Sequence, residues 1–206
     1  VNRLNIIRHM LSVVGEGGVS NEDSTHPSVQ TANGIIDTEN LDLQGRGWWF
    51  NREHALTLVP DNRGEVVVPA STIGFKISSV AHKSPAEKKR YVKRGYRVYD
   101  TIAHTYDIGC SIVADTVTLL SIDDLPALAG NYLMRKCAYE MYIDDDGDQF
   151  KTNKLESAAA RAWQSLYSAE MQYLAVNALD SPQARRLRAG VGGSSLNPNL
   201  IGGRAR

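Results

Sequence analysis

Cysteine is scarce in this sequence, with Cys110 and Cys137 the two present. Two thiols cannot frame a disulfide scaffold, and their spacing fits no zinc knuckle. Both read as ordinary buried thiols in a reducing cell. No apolar run approaches the roughly 20 residues of a membrane helix, so no membrane partner is expected. Val1-Asn2-Arg3-Leu4-Asn5 holds no apolar signal core. The expectation is a soluble protein made in a cytoplasm. Neither sign of charge is in excess: Lys plus Arg and Asp plus Glu are 23 each. A general DNA-coating role would show an overall basic bias. A local basic patch remains open. The length, 206 residues with 42% hydrophobic, suits one domain, or one domain with an insertion. Such a chain buries about 70% of its unfolded surface and needs no staple to hold a core.

The periodicity then divides the chain. Leu4, Ile7, Leu11 and Val14 recur at helical spacing over 3–14, and Gly15, Gly17 and Gly18 stop that helix. A second helix is expected over 28–44 through Val29, Ala32, Ile36 and Leu43, with Pro27 at its start. Gly45 and Gly47 close it. Beyond Gly47 the pattern turns aromatic and β-branched: Trp48-Trp49-Phe50, Ala55-Leu56-Thr57-Leu58-Val59, Val66-Val67-Val68, a stretch over 73–80, and 108–120. Residues 94–100 read as a hairpin arm. Helical spacing resumes near Asp123-Asp124-Leu125-Pro126 and carries a third helix to Ile143. The acidic stretch 144–148 breaks it, and a fourth helix follows over 150–179. Residues 183–206 hold five arginines, no acid, and mostly Gly, Ser and Asn. Such a segment cannot bury enough apolar surface to fold alone. The fold class is therefore α+β: a bundle of two N-terminal and two C-terminal helices, a β-rich insertion, and an extended C-terminal tail. The corresponding domains are 1–46 with 122–181, 47–121, and 182–206.

Templates for catalysis fail in turn, and the protein reads as a non-enzyme without cofactor or metal. Gly15, Gly17 and Gly18 follow a helix rather than a strand, unlike a dinucleotide fingerprint. Gly192-Gly193-Ser194-Ser195 lacks the lysine of a phosphate loop. None of His9, His26, His54, His82 and His104 has a second histidine four residues away. A calcium loop with Gly147 sixth would put Tyr142 first and Asn153 twelfth, neither of them the required acid. The one electrostatic feature is the basic run 83–97. Lys83, Lys88, Lys89, Arg90, Lys93 and Arg94 could face phosphates, with Tyr91, Tyr96 and Tyr99 available to stack. A nucleic-acid-binding protein using this segment and the arginine tail is the alternative reading.

Several stretches resemble a known family. Leu4-Asn5 through Leu11, Val14-Gly15-Glu16 and Val19-Ser20 come first. Gly45-Arg46-Gly47-Trp48-Trp49-Phe50-Asn51-Arg52-Glu53 follows, then Leu56-Thr57-Leu58-Val59-Pro60-Asp61. Residues 91–100, the passage 117–126, and Lys136-Cys137-Ala138 complete the set. Over 3–175 the chain resembles the tail tubular protein A family, the head–tail adaptors of short-tailed, podovirus-type bacteriophages. The resemblance implies a structural virion protein of the phage tail, assembled in the host cytoplasm. It implies a dodecameric ring between the portal protein and the tail nozzle (tail tubular protein B), with tail fibres attached around the junction. DNA would pass through the ring's channel during ejection without sequence-specific binding.

Three groups of residues are expected to carry that role. Trp48, Trp49 and Phe50, set right after a helix stop, should anchor the junction between helices and insertion. A cyclic ring needs two different faces per subunit, and Lys88, Lys89 and Arg90 could meet Asp144 and Asp146 across subunits. In the tail, Leu196, Leu200 and Ile201 flank Asn197-Pro198-Asn199, an extended or turned peptide. Leu196, Pro198, Leu200, Ile201 and Arg204 are the expected portal-docking residues, lying in a neighbour's groove or along its sheet edge.

Overall fold

Helix α1 (Arg3–Val14) begins where Asn2 turns its side chain onto the backbone, its Oδ1 accepting from the N–H of Asn5 at 2.9 Å. It ends at Gly15, whose φ of 86° is the left-handed conformation that lets its N–H return to the Leu11 carbonyl. The computed structural model describes residues 1–22, 25–79, 89–146 and 148–179. Helix α2 (Pro27–Gly45) has proline in its first turn. After the strands and a short 3-10 turn (Ile122–Asp124) come α3 (Ala127–Asp146) and α4 (Gln149–Leu179). The chain divides into two compact units, Val1–Leu166 and Tyr167–Arg206. In the second, the described part is the continuation of α4 to Leu179.

Helices α1 and α2 both pack on α3. The buried face of α1 is Ile6, Ile7, Met10 and Leu11; it shares Ile7 and Leu11 with the expected Leu4–Val14 line, while Leu4 and Val14 are half-buried at its edge. Apolar residues flank that line on both sides, so periodicity alone leaves the azimuth of the helix open. From α2 come Val29, Ala32, Ile36 and Leu43, and from α3 Ala129, Leu133, Cys137, Ala138 and Met141. Trp48 and Leu166 join the same cluster. Of the two thiols expected to be buried, Cys137 is and Cys110 is exposed. Burial pushes the Cys137 thiol far up, which keeps it protonated and unreactive.

Strands β1 (Arg52–Leu58), β2 (Thr72–Ile77) and β5 (Ile112–Thr118) form an antiparallel sheet in the order β1-β5-β2. Strand β5 is central, and its buried residues alternate: Ile112, Ala114 and Thr116. Strands β3 (Tyr91–Arg94) and β4 (Arg97–Asp100) form the expected hairpin. Gly95, at φ 60°, takes the first central place of its two-residue loop, where glycine is favoured. Val66-Val67-Val68 is not a regular strand. It is stitched to the hairpin by an isolated bridge between Val67 and Arg97, with Val68 N–H on the Tyr96 carbonyl and Val98 N–H on that of Val66. A second apolar cluster results from Leu58, Val66, Val68, Ile77, Val98, Ile112 and Ala114. The architecture is α+β, about half helix, with small sheets.

Two further details depart from the sequence expectation. The third helix does not stop before the acids: Asp144 and Asp146 lie in the last turn of α3. Aspartates there oppose the helix dipole, so a sequence rule places the break too early. Asp123 and Asp124 belong to the 3-10 turn, capped by Ser121, with extended Leu125 separating them from α3.

Candidate functional site

The chain leaves α2 for the sheet, and returns from β5, through one polar knot. Gln44 is fully buried at the end of α2. Its Nε2 donates to the Leu120 carbonyl at 2.9 Å, and its Oε1 accepts from the Leu120 N–H at 2.8 Å. The carboxamide thus does for Leu120 what a neighbouring strand's peptide would do. The same Nε2 also donates to Asn40 Oδ1, one turn back, at 2.9 Å. Asn51, 2% exposed, closes the other side. Its Nδ2 donates to the Gln44 carbonyl, its Oδ1 accepts from Trp48 N–H, and its own carbonyl accepts from Thr118 N–H. Both ends of the Gln44 and Asn51 carboxamides are thereby bonded, which a buried network requires.

The aromatic anchor sits on this knot. Trp48 is 4% exposed, and its Nε1 donates to the Leu43 carbonyl at 2.7 Å. Its ring meets Trp163 of α4 edge-on at 5.2 Å. It also meets Trp49 edge-on at 6.4 Å and lies parallel to Phe50 at 6.5 Å. Trp49 and Phe50 are half-buried against the helical cluster. The guanidinium of Arg46 lies 4.7 Å from the Trp163 ring centre. Gly47 permits this turn, with φ 69° and a Cβ position only 2.9 Å from Val117 Cγ2. The sequence signal for Trp48 was its place after the glycines. Asn40, Gln44 and Asn51 were missed. The available sign was that Asn40 and Gln44 continue the Ile36 line at four-residue spacing, polar residues on an otherwise buried stripe.

The basic segment divides into described and undescribed parts. Lys83 and Lys88 lie outside the described residues, as do the tail residues Leu196, Pro198, Leu200, Ile201 and Arg204. Arg90 is held within its own subunit. Its Nε donates to Asp100 Oδ2 at 2.7 Å, and a second guanidinium nitrogen lies 2.6 Å from the same oxygen. Asp100 Oδ1 also accepts from the N–H groups of Ile102 and Ala103. The hydrogen bond from Arg90, aided by these amides, holds the Asp100 carboxyl down to about 2. Lys89 stands beside this corner, where its carbonyl accepts from Thr101 Oγ1. Asp144 is exposed at the end of α3. The described structure brings none of the basic-run residues to Asp144 within one chain.

Two further surfaces belong to the helices. One cavity of about 600 Å³ is lined by Arg135, Lys151, Lys154, Arg161, Phe150 and His9 among others. Burial, and then the charge of Arg135, lowers the pKa of His9 below its ordinary value. A smaller groove of about 320 Å³ is lined by Glu39, Glu140 and Asp144 with neutral residues of α2. Among the described residues, no group of three or more His, Cys, Asp or Glu converges on a possible metal position. No described helix is long and apolar enough to cross a membrane.

No curated protein matches the chain. A family model described as "Tail tubular protein" matches residues 4–179. That span takes in α1, the polar knot, both sheets and all of α4. A match over so much of the chain leaves one assignment: the chain belongs to the tail tubular protein family, structural components of phage tails.

Proposed function

We propose that this tail protein is a head–tail adaptor, a non-enzymatic ring that joins the portal to the tail nozzle and leaves a central channel for DNA. The observation that carries the reading is the polar knot at Gln44 and Asn51. It fastens a β-rich part onto a helical body at a single crossing, by both backbone directions at once. A ring protein with two dissimilar neighbours needs such a layout: one part for lateral contacts, another projecting to a partner, and a fixed angle between them. The helical body comprises 1–46 with 122–181 and the projecting domain 47–121. Residues 182–206 act as the arm that docks on the portal through Leu196, Pro198, Leu200, Ile201 and Arg204. Many copies of a weak arm would reinforce one another through avidity. Tail fibres attach around the same junction. Negative-stain images of the pure protein, alone and mixed with its portal, test the reading. Closed rings that cap the portal are expected. A protein that never forms rings and never binds the portal would refute it.

A further inference from the structure

Charge is unevenly spread over the helical body although the whole chain is neutral. The 600 Å³ groove collects Arg135, Lys151, Lys154 and Arg161 against a single acid, Asp148. Lys154 and Arg161 are exposed and make no ion pair among the described residues. Phe150 lines the same groove and is 79% exposed, an apolar ring left open to water. At about 100° per residue, the nine residues from Arg135 to Asp144 turn α3 by about 180°. The acidic groove therefore lies on the opposite side of the same helix, where Asp144 is exposed and Glu39 and Glu140 are half-buried, Glu140 paired with Lys136 one turn back. Asp42, one helical turn beyond Thr38 of that groove, extends it, and exposed Leu41 lies beside it.

We propose that these two faces are the halves of one contact between copies of this chain. The basic, aromatic-edged groove of one subunit receives the acidic α2–α3 face of the next. The two surfaces are different and lie on opposite sides of one helix. The contact is thus head-to-tail, the kind that propagates into a ring when its rotation closes. A nucleic acid is the poorer fit. Leu155, Ala158 and Phe150 offer apolar surface rather than donors, and Asp148 would repel phosphate. An acidic protein face carrying an exposed leucine matches both the charge and the apolar part. The inference deepens the ring reading above, on whose self-assembly it rests. It also assigns Asp144 a cationic partner other than Arg90, which Asp100 already holds.

Charge reversal tests it. One variant carries Lys154→Glu and Arg161→Glu, a second carries Asp42→Lys and Asp144→Lys, and a third carries all four changes. These side chains are exposed, and circular dichroism with thermal melting checks that each variant folds. Sedimentation velocity over a range of protein concentrations measures self-association. Each two-residue variant should associate more than about tenfold more weakly than the parent, since like charges would then face each other. The four-residue variant restores opposite charges and should recover most of that loss. Undiminished association of the two-residue variants, or no recovery by a folded four-residue variant, overturns the contact. If parent and variants all form rings, this contact fails while the adaptor reading stands. If the parent neither self-associates nor binds the portal, both fail. Fluorescence titration with a single-stranded oligonucleotide provides the remaining arm. Salt-dependent binding that Lys154→Glu with Arg161→Glu abolishes, with self-association untouched, would give the groove to nucleic acid and overturn the proposal.

Discussion

Replacing Gln44 with leucine isolates the contribution of the polar knot. The side chains are similar in volume, so the change leaves little cavity. What it removes is two N–H donations and one acceptor. The Leu120 N–H and carbonyl lose their partners at 2.8 and 2.9 Å, and Asn40 Oδ1 loses its donor. A buried polar group left unsatisfied costs about 1–3 kcal/mol. Leu120 is half-buried, so its two groups fall near about 1 kcal/mol each. Asn40, at 8% exposure, adds about 1–2 kcal/mol. The leucine side chain returns about 1 kcal/mol through burial. The expected net loss for Gln44→Leu is about 2–3 kcal/mol. Equilibrium urea unfolding should show a lower midpoint at unchanged slope. Native-state hydrogen exchange should show the Leu120 amide opening at least about tenfold faster, because its acceptor is gone. Gln44→Glu keeps an acceptor for that N–H but turns the donor into an acceptor facing the Leu120 carbonyl. It should destabilise at neutral pH by at least as much. A Gln44→Leu protein within about 0.5 kcal/mol of the parent, with the Leu120 amide still protected, would refute the role given to the knot.

Trp48→Ala should cost about 3–5 kcal/mol, since it empties the space among Trp163, Trp49 and Phe50 and strands the Leu43 carbonyl; thermal melting with tryptophan fluorescence checks this. Thr116→Val should stabilise by about 1 kcal/mol, because Thr116 Oγ1 is buried in β5 without a hydrogen-bond partner among the described residues; a lower melting temperature would contradict it. Asp100 has a folded pKa held near 2, below its ordinary 3.8. The stability it contributes is complete above about pH 4 and is lost as pH falls through 2. Asp100→Asn should therefore flatten the acid limb of a stability-versus-pH curve between those values. Deleting residues 183–206 should weaken attachment to portal-containing heads in a pull-down; undiminished attachment would remove the arm from the docking role.

Much of the helical layout was legible because its causes are local. Asn2 before an apolar stripe and Gly15 after it specify both ends of α1 within one turn of chain. Pro27 and Gly47 do nearly the same for α2, with the Gly47 N–H returning to the Gln44 carbonyl, and Gly95 marks the β3–β4 loop. The Gly47-Trp48 turn was legible in position, and the burial of Trp48 followed from the size of its ring. The last turn of α3 was not, because acids that locally disfavour a helix end are overruled by a helix already propagating. Nor was the sheet order, since Ile112 pairs with Leu58 on one side and Ala114 with Ile77 on the other through distant segments.

The sequence by itself determined where the four helices begin, where the chain changes to strands, and that it carries balanced charge. Only the tertiary structure decided that Gln44 meets Leu120, 76 residues away. It also decided that Arg90 is used up by Asp100, and that Arg135, Lys151, Lys154 and Arg161 gather around one groove while Glu39, Glu140 and Asp144 line another. Caps, turns and periodicity act within a few residues and can be read from neighbours. A polar pair or a charged face depends on which distant segments burial brings together, and no local rule contains that distance.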